Sequence, residues 1–330
     1  MNDKATSSDT GGLASTSSPD IGLTTDNTWG IGSTNGIVAS YRTAARILTD
    51  PDASRVNILT VPGIRDGALV DYVQTRLSSY SKAFYVVDIP TYDSDGNRLF
   101  AGATSAPNVS KTSEIFDGRA LNDSFSAAYF PDVTIEDPIN NRPVPVPASV
   151  AVLGALGYND NVAYPWFAPA GFNRAALDFV TNVKVRLNND DRNTLYDVRI
   201  NPIATFPSQG YVIWGQKTLQ LKKSALDRVN VRRMLLEVKR QVVEVAERIV
   251  FEANTAETRA RFVSQVSPKL ALIQSQQGID QFKVVMDASN NTQEDVENNI
   301  LNGRIVMVPT RAVEFIAMDF IITHAGVSFE

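Results

Sequence analysis

Apolar residues recur along this chain with two different periods, and the alternation between those periods divides it into elements. In "GIVASYRTAARILTD", residues 36–50, Ile37, Tyr41, Ala44, Ala45 and Leu48 fall at the three- and four-residue spacing of a helix. "VNILTVPG", residues 56–63, is a short apolar run closed by Pro-Gly, the form of a buried strand. Asp66 then stands where an N-cap belongs. The helix behind it is predicted to run to about Tyr80, with Ala68, Leu69, Tyr72, Val73, Arg76 and Leu77 on the repeat. "AFYVVDIP", residues 83–90, is a second apolar strand closed by proline. Strand, helix and strand within 35 residues predict a βαβ unit with parallel strands and a right-handed crossover.

Further along the pattern shortens. Residues 91–125 are mixed and polar, with "DSDGN" as a turn, and "PVPVP", residues 143–147, is held extended by its prolines. "ASVAVLGALGYND" predicts a helix of small residues, "YPWFAPAG" a loop, and the stretches of 181–203 broken by Asn and Asp predict short strands. In "GYVIWGQKTLQ", residues 210–220, Tyr211 and Ile213 point to one side of a strand and Val212 and Trp214 to the other, and Gly215 ends it. Asp227 is the expected N-cap of the next helix, whose stripe is Val231, Met234, Leu235, Val238, Val242, Val245, Ala246 and Ile249. A second helix is expected over Ala256 to Gln276, kinked or broken at Pro268. "FKVVMD" and "GRIVMVP" read as strands on either side of a short acidic helix, "TQEDVENNI", opened by a capping box of Thr292 and Asp295. A long last strand, "VEFIAMDFIITH", would place Phe315, Ala317, Asp319, Ile321 and Thr323 on one face and Ile316, Met318, Phe320 and Ile322 on the other. Its edge would stand open to another chain.

These elements predict an α/β chain, α+β overall: a βαβ-containing sheet domain over 29–200, then a C-terminal α+β domain over 201–330 with helices packed on a mixed sheet. Residues 1–28, rich in Ser, Thr, Gly and Asp, bury too little to offset the entropy of ordering and read as a tail or linker. The chain's 330 residues, 43% hydrophobic, are enough for a sizeable core.

Charge refines this picture. The net charge of -5 recommends neither nucleic acid nor an anionic membrane as partner. Locally, however, Lys217 to Arg240 holds eight basic residues against two acids, and Asp280 to Glu330 holds eight acids against three bases. Separate blocks of opposite sign suit contact between copies. The absence of cysteine excludes disulfides, thiolate nucleophiles and Cys-based metal sites. No uncharged apolar run approaches the roughly 18 residues of a spanning helix, and residues 1–20 lack a signal-peptide pattern.

Candidate chemistry is sparse. "GIGSTNG", residues 30–36, lacks both the preceding strand and the glycine spacing of a dinucleotide loop. His324 is the single histidine, with no GxSxG element to serve. Asp88 and Asp287 end predicted strands, where α/β enzymes place carboxylates, yet each lacks a ligand-spaced partner, and turn or cap duty is the better reading. Arg232 and Arg233 near a helix start oppose its dipole and call for an acidic partner.

Several motifs in one order carry a resemblance. Trp214, Gly215 and Thr218; Asn230 to Arg233; Phe251, Glu252 and Asn254; Asn290 to Thr292; Gly303; and Pro309 with Glu314 to Ile316 follow one another as in the C-terminal region of contractile-tail sheath proteins of bacteriophages and related injection machines. "SAAYFPDV", "PVPASVAVLGALGYND" and "YPWFAPAG" also resemble that family, so the likeness covers about residues 55–325. The Gly-Val-Tyr-Val segment that opens many members is missing. The chain therefore reads as a fragment without the N-terminal arm that sheath subunits lend to neighbours.

The resemblance implies a structural protein and no enzyme. Hexameric rings would stack helically around a tail tube, joined to a baseplate and a tail terminator, and contract to eject the genome. No cofactor, nucleic acid or membrane would take part. The protein would reside in the virion tail sheath after synthesis in the host bacterial cytoplasm, with 29–200 as the outer domain and 201–330 as the inner, tube-proximal one. Arg232 and Arg233 would lock strand, helix and a neighbour together. Glu294, Asp295 and Glu297 would touch the tube, and the strand carrying Phe315, Ala317, Ile321 and Thr323 would pair with a partner's arm. Two other readings stand beside this one: an α/β enzyme working through Asp88 or Asp287, and a non-contractile virion component.

Overall fold

The computed structural model describes residues 36–51, 53–99 and 103–314. In order come α1 (Gly36–Leu48), β1 (Ile58–Thr60), α2 (Gly67–Tyr80), β2 (Phe84–Asp88), β3 (Thr91–Tyr92), β4 (Arg98–Leu99), α3 (Val109–Gly118), β5 (Ser126–Phe130), β6 (Val133–Asp137) and β7 (Arg142–Val146). There follow α4 (Ala148–Val162), β8 (Val180–Val183), α5 (Asn189–Asp197), β9 (Ile200–Phe206), β10 (Gly210–Ile213), α6 (Val229–Glu247), α7 (Ala256–Ser275), β11 (Ile279–Val285), α8 (Gln293–Glu297) and β12 (Arg304–Pro309).

The βαβ expectation holds. Asp66 caps α2 by accepting from the Leu69 N–H at 3.0 Å, and β1 and β2 pair in parallel, Ile58 opposite Phe84. They belong to a five-stranded sheet ordered β1-β2-β5-β9-β10, parallel except for the last pair. Every residue of β2 and β5 is buried, because side chains alternate between two cores, as in sheets covered on both faces. Tyr85, Val87, Ala128 and Phe130 meet Val70, Val73 and Leu77 of α2 and Phe116 of α3 on one face. Phe84, Val86, Ala127 and Tyr129 meet Ala151, Val152, Ala155 and Leu156 of α4 on the other. The small side chains of α4 let it lie close against the sheet. At roughly 1.5–3 kcal/mol per buried large side chain, these two cores dominate the stability of this half.

Helix α6 belongs to two cores. Val229 and Leu236 complete the α4 face of the central sheet, whereas Val231, Met234, Val238 and Val245 join Phe262, Val266, Leu270 and Ile273 of α7. The antiparallel hairpin β11–β12 packs beside α7 through Ile279, Met286 and the half-buried Phe282 and Val284. Burial alternates along β12 and from Gln281 to Val284 of β11, so one face looks to solvent.

Four expectations are corrected. Residues 189–197 form a helix where the sequence suggested short strands, and residues 109–118 form another within the stretch described only as mixed and polar; α5 buries only Leu195 and begins with a capping box of Asn188 and Asp191. Asp227 is not the cap of α6: it ends a 3-10 turn, its carbonyl accepts from the Thr218 N–H at 3.0 Å, and Arg228 holds the cap position without a side-chain bond. Of the kink or break expected at Pro268, the break does not occur, since α7 runs through it. Leu235 is only half-buried, with Leu236 taking the core position. Residues 313 and 314 are not in a strand, and the rest of the predicted terminal strand, with His324, lies outside the described residues. So do residues 30–35 of "GIGSTNG".

Candidate functional site

The strand-end carboxylates are spent on the backbone. Asp88 accepts from the Gly63 N–H at 3.0 Å, from the Ser149 N–H at 3.0 Å and from the Ser149 hydroxyl at 2.7 Å, and Asp132 accepts from the Ala148 N–H at 3.3 Å. Proline at the N-cap leaves α4 without a side-chain cap of its own, so these two carboxylates receive the donors of its first turn. Arg65 links the ends of the two strands by donating to the Ile89 carbonyl at 2.8 Å and to Asp132 at 2.7 Å. Burial pushes the Asp88 carboxyl up, against the pull of Arg65 and Ser149. Asp287 closes a turn by accepting from the Ser289 N–H at 2.8 Å. Among the described residues, no three His, Asp or Glu side chains converge to hold a metal ion.

The segment from β10 to α6 instead forms a weld. Gly215 follows the strand where no side chain fits: a Cβ there would lie 2.9 Å from Asn201 Oδ1 and 3.0 Å from the Tyr196 ring. Asn201 is fully buried in β9. It donates to the Ala128 and Lys217 carbonyls at 3.1 and 2.8 Å and accepts from the Lys217 N–H at 2.6 Å, fastening the segment to the sheet. Thr218, also fully buried, donates to the Leu226 carbonyl at 3.0 Å. Trp214 stays 40% exposed and packs with Phe172 and Phe206, ring centroids 5.0 and 4.6 Å away.

The two arginines of α6 lie inside the fold. Arg233 pairs with Asp160 of α4. Arg232 donates to the Ser124 carbonyl at 3.1 Å and to the Ser124 hydroxyl, and its guanidinium sits 4.1 Å from the centre of the Phe125 ring. Burial lowers the Arg232 guanidinium to about 10. The predicted acidic partner therefore exists for Arg233, while a ring face and a backbone oxygen serve Arg232. Both tie α6 to the central sheet and its covering helix.

Glu314 is the point the sequence reading undervalued. Its Oε1 accepts from Arg228 Nε at 2.6 Å and Gln216 Nε2 at 3.1 Å, and its Oε2 from Tyr196 Oη at 2.9 Å and Arg228 Nη2 at 3.0 Å. One carboxylate thus gathers α5, the segment after β10 and the entry to α6 around the chain that leaves β12. The signal for it was Glu314 in the motif order; nothing local pointed to Tyr196, Gln216 or Arg228.

Other motif residues close the C-terminal half. Asn254 donates to the Ile300 carbonyl at 3.0 Å and accepts from Arg259 at 2.9 Å. Asn290 and Asn291 both donate to the Asn302 carbonyl, at 2.8 and 2.9 Å. The capping box of α8 is present as predicted, Thr292 and Asp295 exchanging bonds at 2.7 and 3.2 Å. Glu294 and Glu297 are exposed beside it. Phe315, Ala317, Ile321 and Thr323 lie outside the described residues.

A welded pair of modules whose strand-end carboxylates are committed to structure agrees with the family comparison. The phage tail sheath protein central domain matches residues 42–219, and the phage tail sheath C-terminal domain matches residues 222–323. The chain belongs to the phage tail sheath family. It is 34% identical over 222 residues to a tail sheath protein of Vibrio phage KVP40, covering 67% of this chain and 31% of that one. It is 31% identical over 223 residues to a tail sheath protein of Enterobacteria phage T4, covering 68% and 32%. The chain thus spans about a third of the length of these relatives. The sheath fold is shared with the PVC sheath complex of an extracellular contractile injection system in the contracted state, at TM-score 0.67 and 22% identity over 84% of this chain and 74% of that one. It is also shared with a chain of the anti-feeding prophage baseplate in the contracted state, at TM-score 0.67 and 22% identity over 86% and 76%.

Proposed function

We propose that this chain is a structural subunit of a contractile bacteriophage tail sheath, whose copies polymerise around the tail tube and contract to drive it into the host and deliver the genome. The observation that carries this reading is the match of the central and C-terminal sheath domains, in order, to residues 42–219 and 222–323. The related chains come from a helical sheath and a baseplate, which supports self-assembly and a baseplate contact here. Hexameric rings stacked helically, a tail terminator at the far end, and synthesis in the host cytoplasm before entry into the virion complete the proposal.

Physically, copies keep their fold and exchange one packing for another, with packings separated by a few kcal/mol per subunit and the switch propagating along the tail. Residues 201–330 form the tube-proximal domain in this scheme and 29–200 the outer one. Among the described residues, β11 and β12 pair only with each other, which supports strand addition by a partner's arm. The segment bearing Phe315, Ala317, Ile321 and Thr323 offers a further edge for it.

Glu294, Asp295 and Glu297 face the tube. Glu294 and Glu297 have no basic partner among the described residues, which supports that assignment. Reversing both charges (E294K with E297K) is expected to leave the fold intact and to abolish co-sedimentation with purified tail tubes. Unchanged co-sedimentation would remove α8 from the tube interface.

A further inference from the structure

A cleft of about 530 Å³ opens between the loop after α4, helix α5 and the residues that follow β12. Trp166, Phe167, Tyr196 and Trp214 supply its walls, and Phe172 extends the Trp214 wall outward, 41% exposed. Arg174 and Arg192 line the same space. Their guanidinium groups lie over the rings of Phe167 and Phe206, 5.3 and 5.1 Å from the centroids.

Each guanidinium donates one hydrogen bond within the described chain: Arg174 Nε to the Ala168 carbonyl at 3.1 Å, and Arg192 Nη2 to Asn189 Oδ1 at 3.1 Å. A guanidinium has five N–H donors, so most remain unspent. Neither arginine has a carboxylate partner among the described residues. The one acid among the described lining residues, Glu314, is engaged by Tyr196, Gln216 and Arg228. Arg311 adds a third cation at the rim.

Stacking on a ring fixes the plane of a guanidinium and leaves its edge free, which makes it a preformed receptor for a carboxylate. The aromatic walls lower the local polarity and strengthen such a bond. The volume lies within the range of sites that enclose small ligands, enough for a few residues of peptide.

We infer that this cleft receives a carboxylate-bearing segment of a second copy of the chain, with Arg174 and Arg192 holding the carboxylate and the Trp214 wall covering the apolar part beside it. The inference rests on the self-assembly proposed above. Charge complementarity selects the occupant. Glu136, Glu257 and Asp280 are exposed and have no basic partner among the described residues, while Arg174 and Arg192 line the cleft with its described acid, Glu314, already engaged by Arg228. Opposite charges stranded at separate places on one chain are satisfied together when copies pack head to tail. A segment seated here touches residues of both family domains, so its arrival or departure bears on how those domains pack.

The test places a photo-crosslinking benzoylphenylalanine at Phe172 in the full chain and mixes isotopically heavy and light copies. Heavy–light crosslinks to an acidic segment are expected. In sedimentation, R174E with R192E should weaken self-association about tenfold or more at unchanged circular dichroism, since a charged contact has been made repulsive. R174K with R192K should fall between, because lysine lacks the fork. Crosslinks confined to one chain or made only to added tube, or self-association of the R174E/R192E chain equal to that of the unaltered one, would overturn the inference while leaving the sheath reading in place. An unaltered chain that stays monomeric at every concentration removes both.

Discussion

The central sheet and the C-terminal hairpin spend their apolar residues differently. In β2 and β5 every side chain is buried, and helices cover both faces. In β12 the burial alternates, Val306 and Val308 are each 48% exposed, and the strand has one neighbour among the described residues. Phe251, at the turn between α6 and α7, is fully exposed with a left-handed φ of 70°. The first region finishes its burial within one copy. Among the described residues, the second leaves apolar side chains and strand edges without a neighbour, the disposition of a surface that is completed by a partner.

Removing a large side chain from each region gives the widest separation. Phe130→Ala should lower the unfolding free energy by about 4 kcal/mol through lost burial and the cavity left behind. Val308→Ala should change it by about 0.5 kcal/mol or less, as at a surface position. Urea denaturation of both variants measures this; equal losses would erase the contrast.

The junction between the regions comes next. Glu314→Ala leaves Arg228, Tyr196 and Gln216 without their shared acceptor, and the side chain is only 17% exposed. Stripping one partner from such a cluster should cost about 3 kcal/mol. Faster amide exchange should appear around residues 310–314. A variant that unfolds and exchanges like the parent would show that the regions are held together elsewhere, for example through Arg233 and Asp160.

Much of this contrast was legible in the sequence, and the parts that were not share a cause. Apolar periodicity located α2, β2, α6 and the hairpin strands because burial dictates it. Helices α3 and α5 escaped because they are short and polar: α5 buries Leu195 alone and depends on its Asn188–Asp191 box. The capping box of α8 was readable because its partners stand three residues apart. The Glu314 cluster was not, because its donors lie 86 to 118 residues away along the chain. Turn or cap duty for Asp88 was legible, but the helix it caps, 61 residues on, could only be found in three dimensions.

The smallest expected effect concerns pH at the hairpin. Hydrogen bonds from Thr292 hold the Asp295 carboxyl below its ordinary value of 3.8. A depressed carboxyl contributes stability above the ordinary value and loses it as pH falls through its own lower pKa. Amide exchange in α8 should therefore accelerate only in that acidic window, while the buried central strands stay protected. Loss of protection in α8 nearer neutrality would contradict the bonding of its cap.

The account's central claim is that the exposed edges and unmatched charges of one copy are completed by another. Sedimentation velocity of the whole chain over a rising concentration series, with electron micrographs of the same samples, tests it most directly. The account predicts a concentration-dependent shift from a single copy to rings or tubes. A single monomeric species at every concentration, with purified tail tubes present or absent, would contradict it.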